Sequence, residues 1–487
     1  MTISTLAAEQ AADTQRQARN LLLMLLAFAF IIHSGFLFYD LVTNFDPFLR
    51  ADRSSFRFDL MSNLLNARSW GDIRDVLIGN DTIIGEYILQ AVLSSAGGVL
   101  GVIVFQIALQ IASIVAVFRI GRLTLLSPRL SFAAALIYAT LPHSLILPHQ
   151  LSTEAIAIPL LVIGYWFFLE YRVAEKSFHF LFLAGLMLGF AACVRPVLLL
   201  IPIMLLPFVP RKFSYGAMIG SISFAVLGLA PVLLWSGFVF SATHQLSLNP
   251  ASPLGVNVYY RAVRIAELLA SENGTSADRY LRGYVEERCA VARDRNTGCT
   301  MSMPSYASFI VHYPLPTFQF FLQDTIMFGA KSGVSRATMD YFNLAHQDRD
   351  EIIAPNSLAS GWRAIWDNQG PLEAIHFIAT KNPAVVMVEL AGGLAFSVFF
   401  LFFLIGLAAA AKLSLDRKIP IGRRVAFIIL ALQVVYTFAS LQIISEYIAD
   451  RYRYPAEFAM CVIAVLGGAT MSAFFHSRRA FWKRGLG

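Results

Sequence analysis

Ten stretches of apolar residues, joined mostly by short polar segments, dominate the pattern along this chain. They cover residues 20–39, 96–118, 130–148, 153–171, 180–194, 196–210, 214–238, 385–411, 424–444 and 455–475. Because a helix needs about 20 apolar residues to cross a bilayer, each stretch predicts a membrane-spanning helix. The fifth and sixth stretches are short, and Pro196 divides them. The pattern therefore predicts an all-α polytopic membrane protein with about ten transmembrane helices.

The positions of Lys and Arg between these stretches predict how the chain is oriented. If the polar N-terminal segment is cytoplasmic, the short outer turns hold only Arg195, Arg451 and Arg453. Basic residues accumulate in cytoplasmic loops, so both termini are expected in the cytoplasm and the first stretch is expected to be a retained signal-anchor in the cytoplasmic (inner) membrane. The cytoplasmic segments then contain Arg16, Arg19, Arg119, Arg122, Arg129, Arg172, Lys176, Arg211, Lys212, Lys412, Arg417, Lys418, Arg423, Arg424, Arg478, Arg479, Lys483 and Arg484.

Composition agrees with a membrane location. Hydrophobic residues make up 57% of the 487 residues, charged residues only 14%, and 40 residues are Phe. A soluble globular protein has about a quarter of charged residues. We read the net charge of +7 as a result of topology and phosphate chemistry, and we expect no nucleic-acid partner.

Two of the predicted outer segments are longer than simple turns. They are a first outer loop at 40–95 and a larger one at 241–383. The chain is therefore predicted to consist of an N-terminal membrane module at 1–240, an outer (periplasmic) loop region at 241–383 and C-terminal transmembrane helices at 384–487.

Two apolar pieces within these outer segments are predicted to lie in the membrane interface. Phe56, Leu60 and Leu64 recur at i, i+4 and i+8, which is typical of a helix that lies apolar side down. The piece "HYPLPTFQFFLQDTIMFG" is apolar but broken by Pro314 and Pro316, so it is predicted to be interfacial or re-entrant.

The four cysteines predict little chemistry. Cys193 and Cys461 lie within apolar stretches, where small buried residues are expected. Cys289 and Cys299 share the polar stretch "RCAVARDRNTGC". They are compatible with a short disulfide loop in an oxidising compartment or with two free thiols.

Ionisable residues collect at the predicted outer ends of the spans. Asp46, Arg50, Asp52 and Asp59 follow the first span. Ionisable groups are costly in hydrocarbon, so four distant segments that bring such groups to one level of the membrane indicate a single interfacial site. The other three segments are "LPHSLILPHQLSTE" with His143, His149 and Glu154, "CVRP" with Arg195, and "EYIADRYRYPAE" with Asp450, Arg451 and Arg453.

Each of these groups also has a structural interpretation. Asp52 pairs with Arg50 or Arg53 on a solvated loop in one interpretation, and such a pair contributes little stability. By the same kind of interpretation, His149 and Glu154 form a polar turn between two helices, and Arg195 and Arg453 extend their charged groups to the membrane interface. A metal site of His143, His149 and Glu154 has spacings of six and five residues, which fit no zinc pattern.

Four motifs in this order resemble the polytopic GT-C glycosyltransferases, the superfamily of protein O-mannosyltransferases and bacterial lipid A aminoarabinose transferases. The first two are "ADRSSFRFDLMSNLL", an acid that opens an interfacial helix, and "LPHQLSTEAIAIPLL", an outer turn with an acid. The next two are "LAGLMLGFAACVRPVLLLIPIMLL", a Gly-x-x-x-Gly helix that ends in Arg-Pro, and "ADRYRYPAE" before the last span. Phe56 stands where the family commonly has Tyr, and residues 241–383 match no family pattern.

The resemblance implies a GT-C-like fold and transfer of a sugar from a polyprenyl-phosphate donor to a glycan, lipid or protein acceptor. It implies that Asp52 is the general base, because an acceptor hydroxyl is a weak nucleophile. Positive charge from Arg195, Arg451 and Arg453 would stabilise the leaving phosphate. His149 and Glu154 would orient donor sugar or acceptor, and Asp46, Arg50 and Asp450 would line the same substrate site. Some relatives use a divalent metal and others do not, and Asp46 near Asp52 leaves both open.

Two other membrane functions remain as alternatives, and a receptor or scaffold role would leave the acids at the outer face unexplained. A membrane transporter or flippase would place its binding groups near the midplane and often shows repeated halves, and this chain shows neither. A polysaccharide polymerase or ligase would use a diphosphate-linked oligosaccharide donor.

Overall fold

The fold is a bundle of helices, and every regular element among the described residues is helical. The computed structural model describes residues 3–42, 62–63, 65–78, 85–210, 215–243, 262, 265, 303–315, 317–322, 373, 376, 383–444 and 453–485. The α-helices are α1 Ile3–Val42, α2 Trp70–Ile78, α3 Gly85–Thr124, α4 Pro128–Thr140, α5 Pro142–Ile146, α6 Thr153–Arg172, α7 Phe178–Val194, α8 Leu200–Leu205, α9 Tyr215–Thr243, α10 Met303–His312, α11 Pro383–Leu415, α12 Ile421–Ile444 and α13 Tyr454–Gly485. Three short 3₁₀ helices cover Leu147–His149, Pro196–Leu198 and Leu206–Phe208.

All ten apolar stretches form helices, and seven of the described helices are long and apolar enough to cross a membrane by themselves. The chain is therefore a multi-pass membrane protein, as predicted. The third stretch is a pair of helices bent by 67°, and the fifth and sixth are the shorter helices Phe178–Val194 and Pro196–Phe208. The spanning segments are Gln10–Val42, Val92–Thr124, Thr153–Arg172, Tyr215–Phe238, Ala391–Leu415, Ile421–Ser440 and Tyr454–His476.

Proline causes the bend in the third stretch. Leu141 is extended, with φ −62° and ψ 143°, because the ring of Pro142 disfavours helical backbone in the residue before it. Pro142 then starts α5, and Pro148 lies in the 3₁₀ turn that follows. The chain from Leu141 to Ser152, here called the connector, therefore packs at one end of the bundle and continues directly into α6.

α13 lies at the centre of the bundle. Each residue from Arg453 to Val465 is buried, and the hydrophobic core joins these residues to side chains of α1, α4, α6 and α7. The C-terminal helices thus share one core with the N-terminal ones. α11 crosses α13 closely, because Gly406 and Gly467 have no side chains and a Cβ on Gly406 would overlap the carbonyl oxygen of Ile463.

Glycine also permits the close approach of α7 and α9. A Cβ on Gly185 would lie 3.0 Å from the carbonyl oxygen of Phe224, and one on Gly189 would lie 2.5 Å from that of Leu227. These two glycines are those of the predicted Gly-x-x-x-Gly helix. The motif therefore sets the position of α7, whose C-terminal end carries Arg195.

The two ends of the bundle are separated by about the thickness of a bilayer. Glu154 and Arg172 lie at opposite ends of α6, about 27 Å apart at 1.5 Å per residue. Near Arg172, the Arg423 guanidinium donates hydrogen bonds of 2.8 and 3.3 Å to the carbonyl oxygen of Thr124. A Cβ on Gly422 would lie 3.2 Å from the carbonyl oxygen of Arg172. Three segments predicted to lie on the cytoplasmic side therefore meet near Arg172. We call this end of the bundle the basic end and the opposite end, near Glu154, the polar end.

Several predicted features lie wholly or mainly outside the described residues. They are the Phe56–Leu64 interfacial helix, the cysteines at 289 and 299, and most of the 241–383 region. Within that region, α10 ends at His312, and the chain bends at Tyr313 before it is helical again at 314–315 and 317–322. Neither piece is long enough to span a membrane.

A capping box begins α2, downstream of the first outer loop's undescribed part. Asp72 accepts hydrogen bonds of 2.9 Å from the backbone N–H groups of Arg68 and Ser69, and the Ser69 hydroxyl accepts one from the Asp72 N–H. These bonds, the one from Arg68 first, lower the pKa of the Asp72 carboxyl below its usual 3.8.

Candidate functional site

Three clusters of buried acidic and basic side chains meet the connector and its junction with α6 at the polar end. Asp40 and His33 of α1 approach His149, Arg195 after α7 approaches Glu154, and Arg453 and Glu457 approach His143. Buried ionisable groups in a membrane protein are costly and are a functional-site signal by default.

In the first cluster, His149 bridges two positions on α1. Its Nδ1 lies 3.3 Å from Oδ2 of Asp40, and its Nε2 lies 3.1 Å from Nδ1 of His33. The rings of His33 and His149 are stacked with centroids 5.4 Å apart, and Phe36 lies beside His149 at 5.5 Å. His149 is fully buried. The cluster therefore joins the last three turns of α1 to the connector.

A buried glutamine on α3 supports the same stretch of connector. With its amide oriented so that the nitrogen is the donor, Gln106 reaches the carbonyl oxygens of Pro148 at 3.1 Å and Gln150 at 2.9 Å. Backbone carbonyls on either side of His149 thus have partners although the connector is buried. This arrangement fixes the backbone that carries His149.

In the second cluster, Glu154 and Arg195 form an ion pair of 2.6 Å between Oε1 and Nη1. Ser152 caps α6 by accepting the Ala155 N–H at 3.2 Å, which places Glu154 in the first turn, where a helix N-terminus favours negative charge. The Thr153 hydroxyl donates to the second carboxylate oxygen at 2.8 Å. Arg195 is where α7 ends, because Pro196 favours an extended residue before it.

In the third cluster, Glu457 accepts from two partners. The Arg453 Nε donates to its Oε1 at 2.8 Å, and the His143 Nδ1 is paired with its Oε2. The His143 ring stacks on Tyr454 with centroids 4.5 Å apart. The Arg453 guanidinium lies 3.8 Å from the ring centre of Phe396 on α11, which is a cation–π contact. The start of α13 is thereby held to the connector and to α11.

The structure brings some of the predicted site residues together, and others lie outside the described residues. Glu154 and Arg195, which are 41 positions apart in the chain, are in direct contact. His149 and Arg453 lie at the same end but in separate clusters. Asp46, Arg50, Asp52, Asp450 and Arg451 lie outside the described residues, so their predicted roles stay predictions.

Sequence reasoning missed His33, Asp40 and Glu457 as partners. Each of them stands at a helical spacing from another ionisable residue. His33 and Asp40 are seven residues apart and so lie on one face of α1, two turns from each other. Glu457 follows Arg453 by four residues, the spacing of a helical ion pair. Spacing shows which residues share a face, but it does not show that these faces meet the connector.

Within the described part of the chain, no group of three or more His, Cys, Asp or Glu side chains is arranged to hold a metal ion. The three clusters instead combine carboxylates, guanidiniums and imidazoles in direct contact. This arrangement suits recognition of an anionic group and of hydroxyls by charge-assisted hydrogen bonds. Asp46 and Asp52, the two carboxylates that leave a divalent metal possible in the sequence, lie outside the described residues.

Comparison with known proteins gives a likeness of structure. The sequence matches no protein-family model and no curated protein. Among solved structures, the chain is similar to the archaeal oligosaccharyltransferase AglB from Archaeoglobus fulgidus, in complex with an inhibitory peptide and a dolichol-phosphate, with a TM-score of 0.46 and 14% sequence identity. The match covers 95% of this chain and 52% of that one, so the chain spans about half the length of the oligosaccharyltransferase.

Proposed function

We propose that this protein is a GT-C-type glycosyltransferase that moves a sugar from a polyprenyl-phosphate donor to a glycan, lipid or protein acceptor. The observation that carries the proposal is the Glu154–Arg195 ion pair. It joins two of the motifs on which the family resemblance rests, the acid of the outer turn and the Arg-Pro that ends the glycine-containing helix. Residues that act on one substrate must lie within reach of one another, and these two do.

The location suits a donor whose tail lies in the lipid. α1 brings Asp40 to the polar end, and Asp46, Arg50 and Asp52 follow α1 in the sequence. The polar end is about 27 Å from the basic end along α6, so the site is at a membrane interface. The accumulation of Arg and Lys at the basic end favours a cytoplasmic position for that end. The site then faces the outer side of the cytoplasmic membrane.

In the proposed reaction, the acceptor oxygen forms a bond to the anomeric carbon while the bond from that carbon to the phosphate oxygen breaks. The electron pair leaves with the polyprenyl phosphate, and the acceptor proton passes to the carboxylate of Asp52. Arg195, Arg451 and Arg453 supply positive charge to the departing phosphate, because an anion gains most from fixed cations in a site with little water. Glu154 holds Arg195 and orients hydroxyls of the donor sugar, and Asp450 is proposed to line the same substrate site.

The test uses the full-length protein in detergent with the polyprenyl-phosphate-linked sugars and the unmodified acceptor, both extracted from cells that lack this chain. Such cells are expected to accumulate the donor and to lose one residue from one glycan. Wild-type protein should release free polyprenyl phosphate from the monophosphate donor, and Asp52→Ala should abolish release while expression and thermal stability stay near normal. Arg195→Ala should weaken donor use.

Arg172→Ala is the matched control, because Arg172 is as buried as Arg195 but lies at the basic end. It should retain transfer. Use of a diphosphate-linked donor alone would make the protein a polymerase or ligase. Movement of the intact lipid-linked sugar across vesicles without bond cleavage would make it a flippase. Either result would refute the proposal.

A further inference from the structure

Three arginines lie together at the basic end, around the turn that joins α3 to α4. The Arg122 Nη1 donates to the carbonyl oxygen of Leu126 at 3.1 Å, and the Arg423 guanidinium donates to that of Thr124. Thr124 and Leu126 are two residues apart, so the two guanidiniums are on the order of 10 Å from each other. Arg424 follows Arg423 in the first turn of α12. We call Arg122, Arg423 and Arg424 the arginine cluster.

Hydrogen bonds to the backbone hold two of these guanidiniums in place. Thr124 is the last residue of α3, where helix carbonyls have no partner within the helix, and Arg423 supplies one. Arg423 uses Nε and Nη2 for this, so its Nη1 stays available to a ligand. A guanidinium that is already fixed loses little side-chain freedom when it binds an anion. The cluster is therefore prepared for an anionic ligand.

Arg424 carries a charge that the described residues do not compensate. Its Nε is buried and makes no hydrogen bond within the described part of the chain. The residue as a whole is only partly buried, so a ligand can reach the outer nitrogens of the guanidinium. The ion pairs among the described residues include none of the three arginines of the cluster. Partial burial of a charge without a counter-charge is costly, and a bound anion would remove this cost.

The surroundings of the cluster are also positive. The segments 119–129, 170–176 and 412–424, which meet at the basic end, contain ten basic and three acidic residues. Two of the acids accept hydrogen bonds elsewhere: Glu170 from the Trp166 Nε1 at 3.0 Å, and Asp416 from the Lys418 N–H at 2.9 Å. A surface with this excess of positive charge attracts anions and repels cations. The basic residues are Arg119, Arg122, Arg129, Arg172, Lys176, Lys412, Arg417, Lys418, Arg423 and Arg424, and the acidic ones are Glu170, Glu175 and Asp416.

An exposed apolar stripe on α12 leads from the cluster towards the middle of the membrane. Ile421, Ile428 and Val435 are 61%, 37% and 58% exposed, and their spacing of seven residues places them on one face of the helix. Arg424 precedes Ile428 by four residues and so lies beside this face. An anion held by Arg424 can therefore have an acyl chain along the stripe, which favours a lipid over a soluble anion.

We propose that the arginine cluster binds the phosphate of an anionic phospholipid in the leaflet at the basic end, with an acyl chain along Ile421, Ile428 and Val435. Arg424 and the Nη1 of Arg423 donate to the phosphate oxygens, and Arg122 adds positive charge. A zwitterionic headgroup binds less well, because its cationic part meets the same positive field. The site lies at the opposite end of the bundle from the Glu154–Arg195 ion pair, so it is independent of the proposed sugar transfer.

The first test measures lipid binding by native mass spectrometry of the full-length protein in detergent. Phosphatidylglycerol and phosphatidylcholine with the same acyl chains are added in turn, and wild-type protein should retain phosphatidylglycerol preferentially. Arg424→Met should weaken retention of phosphatidylglycerol by about tenfold or more, because it removes charge-assisted hydrogen bonds. Arg417→Met is the matched control, since Arg417 is an exposed arginine near the same end, and it should bind like wild type. Undiminished binding by Arg424→Met, or an equal loss in Arg417→Met, would overturn the site.

The second test measures heat-induced unfolding in the same detergent. A ligand that binds only the folded protein raises the unfolding midpoint, so phosphatidylglycerol should raise that of wild type by a few degrees and leave that of Arg424→Met unchanged. Without lipid, Arg424→Met should be at least as stable as wild type, because it removes a partly buried charge that has no counter-charge. A midpoint lowered without lipid, together with an intact response to phosphatidylglycerol, would make Arg424 a structural residue and overturn the proposal.

Two arms of the same experiment use wild-type protein alone, so they do not depend on the folding of a variant. Equal midpoints in phosphatidylglycerol and phosphatidylcholine would refute an anionic-lipid site. Inorganic phosphate is added to a third sample and should not raise the midpoint, because it has no acyl chain to lie along α12. A rise as large as that with phosphatidylglycerol would show that the ligand is a soluble anion and would overturn the assignment to a lipid.

Discussion

Variants of the Glu154–Arg195 ion pair are predicted to change the stability of the protein and its transfer activity in different ways. We consider three variants: Arg195→Met, Glu154→Leu and the double variant Glu154→Leu/Arg195→Met. Methionine and leucine keep much of the side-chain volume but remove the charge. Both partners are mostly buried, with about a tenth of each side chain exposed.

The magnitude follows from the distance and the burial. At 2.6 Å and an effective dielectric constant of about 20, the Coulomb attraction is about 6 kcal/mol. Removing two ions from water costs several kcal/mol each, which offsets most of that attraction. Removing one partner leaves the desolvation cost of the other uncompensated, so each single variant should lose about 3–5 kcal/mol of stability. Removing both should be nearly neutral.

The assay is denaturant- or heat-induced unfolding of the purified protein in one detergent, followed by intrinsic fluorescence, together with the transfer assay. The expected order of stability is wild type, then the double variant close to it, then the two single variants well below. Transfer should be lost in the double variant in spite of its stability, since Arg195 is proposed to face the phosphate.

Two results would contradict this reasoning. A double variant as unstable as the singles would show that the pair stabilises the fold by more than it costs. A double variant that is stable and fully active would remove both residues from the site. A matched pair of single variants at the basic end, Glu170→Gln and Arg172→Met, controls for the general effect of deleting a buried charge.

Three further predictions concern other parts of the molecule. Gly406→Ala should force α11 away from α13, cost about 1–3 kcal/mol or more, and lower the unfolding midpoint measured in detergent; an unchanged midpoint would show that the crossing can relax. Glu457→Gln should leave Arg453 buried without its carboxylate, cost about 3 kcal/mol and weaken donor use, whereas Glu170→Gln should leave donor use unchanged. The ionised Asp72 carboxylate stabilises α2 above the usual pKa of 3.8, and this stabilisation is lost as pH falls through the lowered pKa of the folded protein. Amide hydrogen exchange of α2, corrected for its intrinsic pH dependence, should therefore accelerate only below about pH 4. Asp72→Asn should show the faster exchange already at about pH 7.

Much of the helical framework was predictable because apolar length is a local property. Each of the ten stretches became helical, and the break at Leu141 follows from Pro142, which the sequence also contains. α1 instead begins at Ile3, because the polar segment before Asn20 continues the same helix. Polar composition marks the edge of the membrane, but it does not end a helix that has no Gly or Pro to break it.

The candidate site was predictable as a location but less so as a set of contacts. The apolar runs fixed which residues stand at the end of a span, so His149, Glu154, Arg195 and Arg453 were expected at one level, and the structure places them at one end. The choice of partner depends on how distant helices pack. Nothing local in the sequence indicates that His149 meets α1 rather than Arg195.

The central position of α13 has a consequence for how the protein is made. Residues 453–465 are buried, and α13 packs against α4 and α6, yet the ribosome synthesises α13 after both of those helices. At 5–20 residues per second, these helices wait roughly a quarter of a minute to one minute for the segment that packs against them. During translation, the apolar faces of α4 and α6 that will contact α13 must be shielded by lipid or by the insertion machinery. Nascent chains stalled before residue 453 are therefore the natural substrates of membrane quality control.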